Sequence, residues 1–159
     1  MNITIITVGK LKEKFYRDAV AEYVKRLGRY CKINIYEVAD EQTPDKTSEI
    51  QDMGIKKKEA DRILKIIKSD SYVITLEILG KKMDSLQFAK KIEDLSISGV
   101  SNITFVIGGS LGLHTEVSDR ADEKISFSDM TFPHQLMRVI LTEQIYRAFR
   151  IINHEPYHK

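Results

Sequence analysis

Apolar residues along this chain fall into two alternating rhythms. Short runs rich in β-branched and aromatic residues occupy Asn2 to Val8, Lys32 to Ala39, Tyr72 to Leu79 and Ile103 to Ile107, and they read as strands. Between them the spacing turns helical. Phe15, Ala19, Val20, Tyr23, Val24 and Leu27 share one helical face, and Gly28 marks the stop. Thr43-Pro44 predicts the opening of a long charged helix, with threonine as cap and proline in the first helical position. Its apolar stripe is Ile50, Met53, Ala60, Ile63, Leu64 and Ile67. Gly80 ends the third strand, and Ser85 caps a helix carrying Leu86, Ala89 and Ile92. A short helix is expected near Glu116 to Ala121, a brief strand at Lys124 to Phe127, and a last helix from about Pro133 to Ile152. Strands separated by helices predict an α/β fold, a mostly parallel sheet covered on both faces. At 159 residues, with no repeat or linker, residues 1–159 are expected to form one domain.

The last helix carries more apolar surface than one sheet contact requires. Leu136, Met137, Ile140, Leu141, Ile145, Ala148, Phe149 and Ile152 spread widely around it, while Arg138, Glu143, Arg147 and Arg150 lie largely elsewhere. Such a helix is either central to the core or shared with a second subunit.

The strand at Ile103 to Ile107 runs directly into Gly108-Gly109-Ser110-Leu111-Gly112-Leu113. Ligands of open α/β sheets bind just past the carboxyl ends of such strands, and a residue without a Cβ lets backbone approach a ligand closely. A plain tight turn explains the loop equally well. Two phosphate-binding patterns fail here. Gly112 is followed by Leu113 and His114, not by Lys-Ser/Thr, and the glycines do not fall at G-x-G-x-x-G spacing. A nucleoside without a pyrophosphate therefore suits the loop better than a dinucleotide. A flavodoxin-like oxidoreductase has no fingerprint here.

Net charge is only +2, but it is segregated. Residues 10–32 carry eight basic residues against three acidic ones, and residues 37–53 carry six acidic residues against one lysine. That suits a polyanion on one face, or ordinary solvated helices. No apolar run approaches the roughly 18 residues of a membrane span. The start, Met1-Asn2-Ile3-Thr4, reads as strand and not as the basic segment of a signal peptide. Cys31 is a lone cysteine, which fits a reducing cytoplasm and a packed side chain better than a catalytic thiol. His154-Glu155-Pro156-Tyr157-His158 matches the zinc-peptidase pattern H-E-x-x-H. Pro156 breaks the continuous helix which that chemistry needs, so no metal site is expected.

Three segments together carry a resemblance: I-G-G-S-L-G-L at 107–113, I-S-F-S-D-M-T-F-P-H-Q-L-M-R-V-I-L-T-E-Q-I-Y-R-A at 125–148, and H-E-P-Y-H-K at 154–159. With T-V-G-K-L-K at 7–12 and L-G-K at 79–81, the chain resembles the RlmH family of the SPOUT superfamily along its whole length. The family's members methylate a pseudouridine of large-subunit (23S) ribosomal RNA. The resemblance implies a carboxyl-terminal trefoil knot, a homodimer, and S-adenosyl-L-methionine held in a bent pose. Carried over by motif, the cofactor contacts are Leu76, Gly108, and Phe127, Ser128, Asp129, Met130, Thr131 and Phe132. Tyr157 and His158 become candidates for the base that assists removal of the acceptor proton, or for holding the RNA. Arg138, Arg147 and Lys159 become candidate RNA contacts. His134 either shapes the cofactor loop or packs and caps. The alternative of another class is a ribosome- or RNA-binding protein of the same fold without turnover, which need not bind the cofactor.

Overall fold

In the computed structural model, which describes residues 1–159, five strands form one sheet. They are β1 (Asn2–Val8), β2 (Lys32–Val38), β3 (Tyr72–Lys82), β4 (Asn102–Ile107) and β5 (Glu123–Ser126). Their order is β2-β1-β4-β3-β5, and every pairing is parallel. The helices are α1 (Lys14–Leu27), α2 (Glu49–Ile66), α3 (Ser85–Ile97), α4 (Thr115–Arg120) and α5 (His134–Ile152).

Both faces of the sheet are apolar, which explains the near-continuous hydrophobic runs. Ile3, Ile5, Ile103, Phe105 and Ile107 point to a core shared with α1, α3 and α5, and Cys31 is buried there. Burial pushes the Cys31 thiol up to about 11, so it is a packed neutral group. The alternate residues Ile6, Val8, Val73 and Val106 meet Ala60 and Ile63 of α2 and Val117 of α4.

Three boundaries differ from the sequence expectation. The long helix begins at Glu49, not at Thr43-Pro44, because Ser48 and Gln51 form a reciprocal capping box. Residues before it form a strap, where Arg62 bonds Ala39 and Glu41, and the Thr43 hydroxyl lies 3.5 Å from that of Ser110. The predicted stripe loses its first members in consequence, with Ile50 85% exposed. The cap of α3 is Asp84, again reciprocal with Gln87, while Ser85 donates across to Gln144 of α5 at 2.8 Å. The third strand also passes through Gly80. Leu76 and Lys81 both pair with Ile125, so residues 77–80 bulge out of the ladder. A Cβ on Gly80 would lie 2.6 Å from the Ile125 carbonyl carbon, hence glycine there.

The largest correction concerns Arg138. Placed by the sequence reading on a polar face as an RNA contact, its guanidinium is only 2% exposed. It donates to the carbonyls of Val8 (3.0 Å) and Gly9, and pairs with Glu37 at 3.2 Å. It is therefore an internal clamp between the ends of β1 and β2 and the first turns of α5, and reaches no RNA. Arg138→Ala should strand two carbonyl acceptors and cost about 3 kcal/mol, read as a lowered urea midpoint.

Candidate active site

A cleft of about 370 Å3 opens at the carboxyl ends of β3, β4 and β5. That size lies within the range of small-molecule sites. Three chain segments wall it: the bulge Glu77–Ile78–Leu79, the glycine loop 108–113, and the loop after β5. The start of α5 closes it with His134 and Met137.

Of the residues singled out by motif, Leu76, Gly108, Phe127, Ser128, Met130, Thr131 and Phe132 line this cleft. Asp129 does not. It sits among them in sequence, but its carboxylate pairs with Lys82 on the surface. Gly108 also has a structural reason to be glycine. A Cβ would lie 2.9 Å from the Gly112 carbonyl carbon, so the missing side chain first lets the loop close on itself. Sequence reasoning missed the bulge as a wall. The L-G-K turn at 79–81 was its visible trace.

The donors of the cleft are main-chain. In the glycine loop only the Gly112 N–H is used, by the Gly109 carbonyl. In the loop after β5 the Met130 N–H goes to the Ser128 hydroxyl, while those of Ser128, Thr131 and Phe132 have no partner within the chain. Around them stand apolar side chains, with Met130 72% and Leu79 99% exposed at the mouth. Glu77 is the one charged lining residue, and no lysine or arginine lines the cleft. Its carboxylate accepts from Thr75 (2.7 Å) and Ser118 (2.9 Å). Burial and the nearby Arg138 cation push the His134 imidazole down, so it is neutral at pH 7. The chemistry on offer is a greasy, slightly negative slot edged with free N–H groups. It fits an uncharged heterocycle with a cationic substituent better than a phosphate.

His114 caps α4 by accepting from the Glu116 N–H, at 3.2 Å. The last residues turn back along α5. Tyr157 stacks edge-on against Tyr146 (5.0 Å), its hydroxyl donates to Glu143 (3.2 Å), and the Arg147 guanidinium lies 4.7 Å from its ring centre. Its phenol is pushed up to about 12, by burial first and then by the neighbouring Tyr23 hydroxyl and Glu143 carboxylate. His158 Nδ1 lies 3.3 Å from Arg147, and Lys159 is exposed. His154 and His158 follow the end of α5, so the H-E-x-x-H pattern is not on a helix. These residues pack beside positions 143–147, while the cleft lies at 134–137. At about 1.5 Å per residue that separation is roughly 15 Å. Within one chain, cleft and final residues are therefore apart.

A sequence profile described as "Predicted SPOUT methyltransferase" matches residues 1–158. A protein of Methanococcus maripaludis is 66% identical over the full length of both chains. One from Clostridium tetani, named ribosomal RNA large subunit methyltransferase H, is 60% identical, again over the whole of each. Among solved structures, a probable methylase family protein from Haemophilus influenzae aligns with a TM-score of 0.55 at 16% identity, covering 99% of this chain and 70% of its own. That last likeness speaks for the fold alone. The chain belongs to the SPOUT methyltransferases and, within them, to the RlmH family.

Proposed function

We propose that this protein methylates a ring nitrogen of a pseudouridine in 23S ribosomal RNA, with S-adenosyl-L-methionine as donor. The observation that carries the reading is the cleft: apolar walls, unused N–H groups on two loops, one carboxylate and no lining cation. A nucleoside bearing a sulfonium suits each of these features, whereas the phosphates of a flavin nucleotide or dinucleotide would meet a carboxylate and no lining cation. In this reading Leu76, Phe127, Met130 and Phe132 flank the adenosine, and the N–H groups of the glycine loop and of Ser128, Thr131 and Phe132 read its polar edges. Asp129 contributes main chain only. The cofactor supplies an already activated methyl group, so the protein's task is alignment and exclusion of water.

The acceptor side is built from the last residues. Tyr157 stays a neutral phenol at physiological pH and serves as anchor and stacking surface, not as base. His158 and Lys159, beside Arg147, offer an imidazole and cations to an unstacked base and its phosphate. Because they lie away from their own cleft, they serve the cleft of a second copy. A two-fold antiparallel pairing of α5 centred near Ile140 would bring position 147 of one chain beside position 133 of the other. Half-exposed Leu136 and Ile140 give that pairing its apolar contact. A cytoplasmic site of action follows from the substrate.

Three measurements test this. Calorimetry should show S-adenosylhomocysteine binding to the wild type, and Ile78→Trp, which fills the cleft from the exposed bulge, should weaken it at least tenfold. A folded variant with unchanged affinity would sink the site, and wild-type protein that ignores the ligand would favour the non-catalytic alternative. Deleting residues 157–159 should abolish methyl transfer to ribosomal RNA yet spare cofactor affinity and the dimer seen by light scattering. Finally, Tyr157 contributes stability that is fully present below about pH 10 and lost as pH rises through about 12. Tyr157→Phe should flatten the corresponding alkaline fall in denaturation midpoint.

A further inference from the structure

We propose that the carboxyl-terminal end of α1 is a docking track for the phosphate backbone of the RNA, with Lys25, Arg29 and, at the start of β2, Lys32 as its contacts. The inference rests on the methyltransferase reading and extends it to the surface that delivers the substrate strand.

Several cations elsewhere on the surface are already engaged, although others, among them Lys10, Lys46, Lys56 and Lys124, make no ion pair. Lys57 holds Asp61 and Glu116, Lys90 holds Asp94, Lys91 holds Glu123, and Arg120 pairs with Asp122. Lys25, Arg29 and Lys32 are exposed and make no ion pair. Cations left without carboxylate partners are free to meet an outside anion. Two of them end a helix, where they also offset its dipole, so position alone is not the argument.

Their neighbours set them apart. Arg26, between Lys25 and Arg29 in the chain, is held by Glu22 at 2.7 Å and lies 5.7 Å from the ring centres of both Tyr23 and Tyr146. Tyr146 in turn packs edge-on against Tyr157, with ring centres 5.0 Å apart. Arg29 lies 6.0 Å from the centre of the Tyr30 ring, and the Tyr30 hydroxyl bonds Glu155, which Arg150 holds at 2.7 Å. The basic end of α1 is thus joined through a tyrosine–arginine cluster to residues 155–159. A strand whose target base sits against His158 and Lys159 would run its phosphates onto Lys25, Arg29 and Lys32. Interleaved aromatic rings and cations are the usual make-up of a surface for unpaired RNA.

The far end of β2 completes the picture. Lys32 opens that strand, and the acidic stretch begins at Glu37 and continues through Asp40 and Glu41 into the strap. Over seven residues, roughly 23 Å, the surface passes from basic to acidic. A polyanion is steered to one end and turned from the other.

The test is a Lys25→Glu/Arg29→Glu variant, assayed on large ribosomal subunits from a strain lacking the modification. Affinity for S-adenosylhomocysteine and the circular dichroism spectrum serve as controls. The expected result is unchanged cofactor affinity, a KM for subunits raised at least tenfold with little change in kcat, and a shallower salt dependence. Each lost phosphate contact should reduce the slope of log affinity against log salt by about 0.7 to 0.9. Lys25→Gln/Arg29→Gln should give an intermediate KM. If the cations only offset the helix dipole, stability falls while KM and salt slope hold, and the proposal is overturned. Direct binding of subunits separates the two readings. A wild type that binds through this face but transfers no methyl removes the enzyme reading and leaves the track, whereas full activity in the variant removes the track and leaves the enzyme.

Discussion

The Arg138 guanidinium is nearly dry, and where it is held sets the start of α5 against the sheet. Burying such a charge is costly, and the cost falls only when each donor finds an acceptor. Here the acceptors are the carbonyls at the end of β1 and the half-exposed Glu37 of β2, while the side chain comes from the second turn of α5. One side chain therefore fixes the start of the last helix against two strand ends. His134 and Met137 are carried with it, and they form a wall of the cleft. The Nε of Arg138, buried and without a partner, marks the residual cost of this arrangement.

From that fixed corner the cleft is made by chain that has left regular structure: the bulge at 77–80, the glycine loop, and the turn after β5. Loops cannot pair all their own N–H groups, and in this place the surplus is an asset. Donors left unpaired at the edge of an apolar slot would be available to a ligand with matching acceptors. Sequestering Asp129 on Lys82 keeps a second negative charge out of the slot.

Much of this was legible in the sequence, for definite reasons. A parallel sheet covered on both faces must be apolar at successive positions, so β1, β3 and β4 announced themselves. The lining residues Leu76, Gly108, Phe127, Ser128, Met130, Thr131 and Phe132 came from the family resemblance, since each alone reads as ordinary core or turn. What could not be read was decided at long range. Thr43-Pro44 has good opening chemistry, but the reciprocal Ser48–Gln51 pair prevailed. Arg138 sits on a helix whose period offers no hint that a cation should face inward, because its partners are 130 and 129 residues away. Tyr157 reads by motif only as a candidate base or RNA contact. Its stacking on Tyr146 depends on a contact between α5, α1 and the last residues, which no local pattern reveals.

The position of β4 in the sheet sets an order of events during synthesis. Asn2 of β1 pairs with Asn102, and β3 also lines up on β4, so β1 has β2 on one side but an open edge on the other until residue 107 has emerged. At about 5–20 residues per second, the intervening hundred residues take on the order of 5–20 s to make. For that interval the nascent chain presents Ile3, Ile5 and Ile6 on a half-finished sheet, and Arg138 is still unmade. The polypeptide therefore spends its most aggregation-prone moments tethered to a ribosome, where a chaperone at the exit can shield the edge.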